Sequence, residues 1–243
     1  MRVKEVVEGI TVHNNEAKFN YNNKDGVSTK IGKGNFNPFT KASKDLNGHT
    51  IYSVYYDPRD IANKVILSIK GKGPYKVTPE DYNLLLARTS KYICYHLLKG
   101  VDTIVTPSST SPIILHLLKE IHSIMPHLIM LPNSFSKFTD LSKITVNYNH
   151  PTITPVIAKI LETYLTKARS TGVFELKKIS PSMRKFLNNF HEIIDEKILK
   201  HISGQHVCVL DDLLVTGTTI VQVVNLIDEY GASKVSGVTI FKK

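Results

Sequence analysis

The chain has 243 residues, 42% of them hydrophobic, and a formal net charge of +10. That length bounds one ordinary domain with an appendage, or one large domain, with enough apolar residues for a sizeable core. No apolar run approaches the roughly 18 residues of a membrane span, no C-x-x-C or His/Cys cluster suggests a structural metal, and no Ser sits in a nucleophile-elbow pattern. Membrane-spanning, zinc-scaffold and acyl-transfer readings are set aside on those grounds.

The charge is uneven: residues 1–100 carry 16 Lys and Arg against 9 Asp and Glu, and residues 101–243 carry 15 against 12. A basic surface steers anionic ligands and holds nucleic acid weakly, although no Arg-rich tract or aromatic RNA-binding pattern accompanies it. The two cysteines, Cys94 and Cys208, lie among apolar neighbours and read as small buried hydrophobes rather than a disulfide. The charged start, MRVKEVVEG, does not resemble a signal sequence, so the cytoplasm is the expected location.

The pattern predicts short strands within Val3–Val12 and Ala17–Tyr21, with Asn14-Asn15 as the turn. Residues 22–49, rich in Asn, Lys and Gly, read as loop. Thr50–Tyr56 alternates and predicts a strand. Ile61, Val65, Ile66 and Ile69 recur at helical spacing, which predicts a helix over 59–70 ended by Gly71, Gly73 and Pro74. Thr78 before Pro79-Glu80-Asp81 is an N-cap entry to a helix over 79–99 that stops at Gly100.

From Val101 the elements alternate. A strand over 101–106 leads into a turn of small and hydroxylated residues, Pro107 to Ser111. A helix over 112–124 follows, with Ile113, Leu117 and Ile121 on one stripe, and then a strand over 128–131. Residues 132–154 read as polar and irregular. A helix over 155–169, a loop over 171–182 and a helix over 183–194 come next. A strand over Val207–Leu210, a helix over 218–230 with Ile220, Val223, Val224 and Ile227 on one face, and a strand over 235–241 close the chain. Such alternation implies a parallel sheet with right-handed crossovers.

Val207 to Thr219, VCVLDDLLVTGTT, carries most of the functional information. Its apolar, β-branched start suits a strand buried on both faces. Asp211 and Asp212 follow at the carboxyl end, where open α/β sheets bind ligands. Thr216-Gly217-Thr218-Thr219 then opens a helix, where backbone N–H groups, hydroxyls and the positive end of the helix dipole suit a phosphate.

This run resembles the phosphoribosyl-pyrophosphate (PRPP) signature of the type I phosphoribosyltransferases. The resemblance implies an α/β fold with a mainly parallel twisted sheet flanked by helices, made of a β-containing N-terminal hood subdomain (1–76) and a core domain (77–243). It implies transfer of 5-phosphoribose from PRPP to a nitrogenous base or amine with release of pyrophosphate, and dependence on Mg²⁺. Asp211 and Asp212 would contact the ribose and bear on the metal, directly or indirectly. Val215, Thr216, Gly217, Thr218 and Thr219 would hold the 5′-phosphate. Thr106, Pro107, Ser108 and Ser109, after the first core strand, take the place of the pyrophosphate loop. Residues 132–154 and 171–185 are candidates for a closing lid, with Lys137, Lys177, Lys178 and Arg184 as its cations. Family members are commonly dimers, so a homodimer is expected. Members acting on 6-oxopurines carry an Asp where this chain has Val215, which argues against a hypoxanthine- or guanine-type enzyme.

Tyr55-Tyr56-Asp57-Pro58-Arg59-Asp60 with Ile69-Lys70-Gly71-Lys72-Gly73, and the stretch Ile179 to Phe190, are similar to segments of ComF-type proteins, which share this fold and are linked to DNA uptake. The chain departs from them in having no zinc-finger cysteines at the N-terminus and no Arg-Gly-Phe-Asn-Gln segment. The resemblance covers about 55–243 and gives the alternative reading: a non-catalytic or regulatory protein that binds nucleic acid through its basic first half.

Overall fold

A computed structural model of the chain describes residues 5–7, 10–13, 16–19, 50–56, 61–108, 112–137, 140–188, 191–214 and 217–242. Strands β1 (Glu5–Val7), β2 (Ile10–His13) and β3 (Glu16–Phe19) pair in antiparallel succession, with His13 opposite Glu16; the turn expected at Asn14-Asn15 lies outside the described residues. Strand β4 (Thr50–Tyr56) and helix α1 (Ile61–Ile69) follow. The short β5 (Lys76–Val77) runs parallel to β3 and completes a four-stranded sheet. Residues 22–49, read as loop from their composition, lie outside the described residues.

Helix α2 (Pro79–Tyr92) begins where capping chemistry dictates: Thr78 Oγ1 accepts from Asp81 N at 3.1 Å, and Pro79 takes the first turn, where its missing N–H costs nothing. It continues as a π-helical turn, Ile93–Leu97, so the helical stretch matches the expected 79–99 closely. Strand β6 (Thr103–Pro107), helix α3 (Pro112–Ile124) and strand β7 (Ile129–Lys137) form the first parallel unit. Strand β8 (Thr145–Val146), helix α4 (Pro155–Thr171), the one-turn helix α5 (Pro181–Arg184), and strands β9 (Leu187–Asn188) and β10 (His191–Ile193) come next. Strand β11 (His206–Leu214), helix α6 (Thr218–Glu229) and strand β12 (Lys234–Lys242) form the second parallel unit.

The main sheet has the order β10-β7-β6-β11-β12-β4, parallel throughout except for β10 at the edge. The α/β architecture expected from the alternation is therefore the one the chain adopts. Thr50–Tyr56 and Ile61–Ile69 precede the expected boundary at residue 76, yet β4 pairs with β12 along its length, and Val65 and Ile66 of α1 join the sheet's core.

Successive residues of a strand face opposite sides. Cys208, Leu210 and Val238 bury against α1, α2 and α3 through Val65, Leu85, Ile113 and Leu117. Val207, Val209, Val235 and Ile51 bury against α6 through Ile220, Val223, Val224 and Ile227. Each fully buried Ile, Leu or Val contributes roughly 1.5–3 kcal/mol, so these two clusters fix the helices on both faces. Cys94 and Cys208 are buried free thiols within this core, as expected. No helix among the described residues is long and apolar enough to cross a membrane.

One predicted element is overturned. The helix expected over 183–194 is a single turn followed by two short strands, because Thr145–Val146 claims Leu187–Asn188 and the end of β7 claims His191–Ile193. Strands β7 and β11 also run longer than their apolar stretches: β7 continues past Pro132 to meet β10, and β11 continues past the carboxylates while β12 still pairs with it.

Candidate functional site

The two parallel units leave the centre of the sheet in opposite directions. From β6 the chain crosses through α3 to β7 on one side, and from β11 it crosses through α6 to β12 on the other. Right-handed crossovers then put α3 and α6 on opposite faces, and open sheets of this kind bind ligands in the crevice at the carboxyl ends of the two diverging strands, here β6 and β11. Pairing between these strands runs from Val207–Thr103 through Val209–Val105 and stops there. Beyond that level β11 pairs with β12 alone and β6 with β7.

Asp211 and Asp212 stand just past this divergence, inside β11 rather than after it. Asp211 lies in register with Thr239 of β12, and Thr239 with Ser53 of β4, whose hydroxyls are 2.6 Å apart and buried. Two residues earlier the same row is Val209, Gly237 and Ile51, on the side that α6 covers. Asp211 therefore belongs to the α6 face and Asp212 to the opposite one. The two carboxylates assigned to the ribose thus stand at one strand end on opposite faces of the sheet.

Asp212 is buried, and its Oδ2 lies 2.5 Å from Lys70 Nζ, just beyond the end of α1. That oxygen is sealed from solvent, and among the described residues the Lys70 ammonium is the partner that meets it. Asp211 is half-buried, and its Oδ1 accepts from Asp212 N at 2.8 Å. Burial, and after it the charge of Asp212, push the Asp211 carboxyl up to about 7, against the lowering effect of that hydrogen bond and of Lys70.

This shift sets the sign of a pH dependence. A group with a higher pKa folded than unfolded binds more protons in the folded state. Its stabilising contribution is complete below about pH 4 and is lost as pH rises through about 7. Denaturant melts of the ligand-free chain and of Asp211→Asn, taken from pH 4 to 8, are expected to differ by an amount that falls with pH and levels off above about 7. A constant difference would remove the raised carboxyl.

Of the assigned phosphate loop, Val215 and Thr216 lie outside the described residues. Gly217 caps α6 at φ 73°, in the left-handed region that favours glycine. Thr218 is buried and Thr219 half-buried in the first turn, whose leading N–H groups have no intrahelical acceptor.

The assigned pyrophosphate loop divides by role. Thr106 is buried and its Oγ1 accepts from Asn133 N at 2.8 Å, so this hydroxyl fixes the bulge in β7, where Asn133 takes φ 52°. Pro107 is buried at the strand end, level with Phe135. Ser108 is exposed, with its N–H donated to Phe135 O at 2.7 Å, which leaves its side chain as the part facing solvent. Ser109 lies outside the described residues.

The lid candidates are built into a folded unit. Ile144 and Val146 from the first segment and Leu176 and Ile179 from the second share one core with Phe186 and with Leu161 and Leu165 of α4. Arg184 is engaged within that unit, donating from Nε to Ile179 O at 3.0 Å, and Lys178 is exposed beside Glu175 at 2.9 Å. Lys137 ends β7 and Lys177 lies in a 3₁₀ turn; their side chains lie outside the described part. Gln222 of α6 ties the unit to the site helix by donating to Leu187 O at 2.5 Å.

Lys70 was missed as a site residue, although its signal was present: a lysine at the end of an amphipathic helix, directly before Gly71-Lys72-Gly73. Among the described residues no group of three or more His, Cys, Asp or Glu side chains could hold a metal ion. The carboxylates of Asp211 and Asp212 are hard oxygen donors, of the kind a divalent cation combines with substrate oxygens and water.

No family model matches the chain, and no curated protein matches it. Solved structures with a similar arrangement include a hypoxanthine phosphoribosyltransferase from Staphylococcus aureus, at 13% identity and TM-score 0.37, covering 68% of this chain and 65% of that one. A hypoxanthine phosphoribosyltransferase of Trypanosoma cruzi stands at 11% identity and TM-score 0.37, covering 68% and 66%. A hypoxanthine-guanine-xanthine phosphoribosyltransferase stands at 11% and 0.33, covering 67% and 63%. The chain thus spans about 65% of the length of the first of these. Similarity at this level transfers no residue role and no activity.

Proposed function

We propose that this chain binds PRPP in the crevice between β6 and β11 and transfers its 5-phosphoribosyl group to a nitrogen nucleophile, releasing pyrophosphate. The observation that carries the reading is the meeting, at one topological switch point, of an Asp-Asp strand end and a glycine-capped helix start six residues on. Ligands of open α/β sheets bind at such points.

In this reading the first-turn N–H groups of α6, with the hydroxyls of Thr218 and Thr219, hold the 5′-phosphate. Asp211 and Asp212 hold the ribose hydroxyls and stabilise positive charge as it grows on the ring. The loop after β6, with Ser108 at its exposed start, receives the pyrophosphate. The acceptor nitrogen forms a bond to C1′ as the bond from C1′ to the pyrophosphate oxygen breaks. The pyrophosphate leaves with the electron pair, and the acceptor loses its proton to solvent. Asp211 and Asp212 would be the carboxylates that hold Mg²⁺, directly or through water, and the cation would supply neutralisation of the pyrophosphate charge. Positioning and fixed charge are the chain's contributions, since no covalent intermediate on the protein is required.

The acceptor class is a nucleobase or amine, and Val215 in place of an acidic residue disfavours 6-oxopurines. A screen of nucleobases and small amines for PRPP- and Mg²⁺-dependent pyrophosphate release is expected to find at least one acceptor that depends on Asp212. Salt-sensitive DNA binding with no release from any acceptor would replace this reading with the nucleic-acid-binding one.

A further inference from the structure

The Lys70–Asp212 pair is asymmetric. The carboxylate is buried and fixed by a strand, whereas the Lys70 side chain keeps 24% of its surface exposed on a flexible four-carbon stem. Its backbone is held firmly. Lys70 N donates to Ile66 O at 3.0 Å and Lys72 N to Leu67 O at 2.7 Å, with Gly71 at φ 71°. Ser68 Oγ donates to Lys64 O and accepts from Tyr75 N, and a Cβ at Gly73 would fall 2.2 Å from that oxygen. A locked turn thus presents a long, flexible side chain to a carboxylate fixed on a strand.

The pair is not needed to hold α1 in place. Val65 and Ile66 already bury completely, and a well-packed apolar pair generally stabilises a fold as well as a buried ion pair does. A charge kept at such a site, beside a second carboxylate at the mouth of a crevice, points to a ligand.

We infer that Lys70 is the resident counter-ion of Asp212: it covers the carboxylate's open side while the crevice is empty, and it moves onto the phosphates of an anionic ligand when one binds. The inference rests on the reading that the crevice takes PRPP with a divalent cation. Two effects of opposite sign follow. The ammonium repels a free divalent cation from Asp212, so the metal enters only with its own anions. Once displaced, the same ammonium attracts the ligand's phosphates.

The test uses the full chain with Lys70→Met, Lys70→Gln and Lys70→Arg. Mn²⁺ alone is titrated by electron paramagnetic resonance, and PRPP with Mg²⁺ by calorimetry. Both neutral variants are expected to bind free Mn²⁺ at least tenfold more tightly than the parent and PRPP with Mg²⁺ at least tenfold more weakly. Lys70→Arg should stay close to the parent in both, and adding Asp212→Asn to Lys70→Met should abolish the gain in Mn²⁺ affinity. General loosening of the fold would weaken both ligands together. Unchanged Mn²⁺ affinity in the neutral variants, or PRPP affinity unchanged or tighter, overturns the inference. A parent that binds no PRPP defeats the functional reading itself, and the two failures are thereby told apart.

Discussion

Asp212→Asn is expected to lower PRPP-dependent pyrophosphate release by roughly 10²-fold, equivalent to about 2.7 kcal/mol of transition-state stabilisation. The asparagine keeps the size of the side chain and removes its charge. The sealed Oδ2 position is then neutral, so it no longer stabilises charge growing on the ribose. Asn also leaves Lys70 without its anion, but that ammonium has a quarter of its side-chain surface in solvent and turns outward at little cost. The variant should therefore fold, with a modestly lower melting temperature and an intact near-ultraviolet circular dichroism spectrum. Equal turnover in variant and parent would take the carboxylate out of the mechanism. A lost spectrum would instead assign it to the fold.

Gly217→Val is expected to weaken PRPP binding by more than a hundredfold, for a backbone reason. Gly217 sits at φ 73° at the N-cap of α6, a conformation that β-branched residues adopt only under strain. Relieving it rotates the peptide that leads into the first turn and moves the N–H groups assigned to the 5′-phosphate. The helix itself remains anchored by Ile220, Val223, Val224 and Ile227, so the loss should appear mainly in affinity. Gly217→Ala, strained but smaller, should fall between. Calorimetry that gives unchanged affinity for Gly217→Val would contradict the assigned phosphate loop.

The sequence was most legible where local chemistry and tertiary demand agree. Thr50–Tyr56 alternates and is a strand over those same residues, and Pro112–Ile124 carries an unbroken apolar stripe and is a helix over those same residues. Legibility failed where distant pairing overrode local period. Met183, Phe186, Leu187, Phe190 and Ile194 recur at helical spacing, yet Leu187 meets Val146 and Ile193 meets Phe135, and cross-strand pairing decides the conformation. Residues 132–154 read as polar and irregular, and Pro132 and Asn133 open that stretch. They occupy a bulge, held by the Thr106 hydroxyl, through which the strand continues.

The candidate site shows the same division. The acidic pair and the glycine-led helix start were legible because each is contiguous in sequence. The faces on which the carboxylates fall were not, because they follow from the register of β11 with β12 and from which helix covers each side. Lys70 carried a local signal in its helix end before Gly71-Lys72-Gly73, but its partner was not legible, because 142 positions separate it from Asp212 and only the packing of α1 on the sheet brings them together. The lid lysines and arginine were chosen by charge in polar segments. The buried side chains around them, Ile144, Leu176 and Phe186, are too sparse to announce a shared core in one dimension.

A crystal structure of the chain soaked with PRPP and Mg²⁺ tests the central claim most directly. The expected density has the 5′-phosphate against the first turn of α6, the ribose hydroxyls within hydrogen-bond reach of the β11 carboxylates, and the pyrophosphate beside Ser108. Ligand density at any other place on the sheet, or an empty crevice at millimolar PRPP, would contradict it.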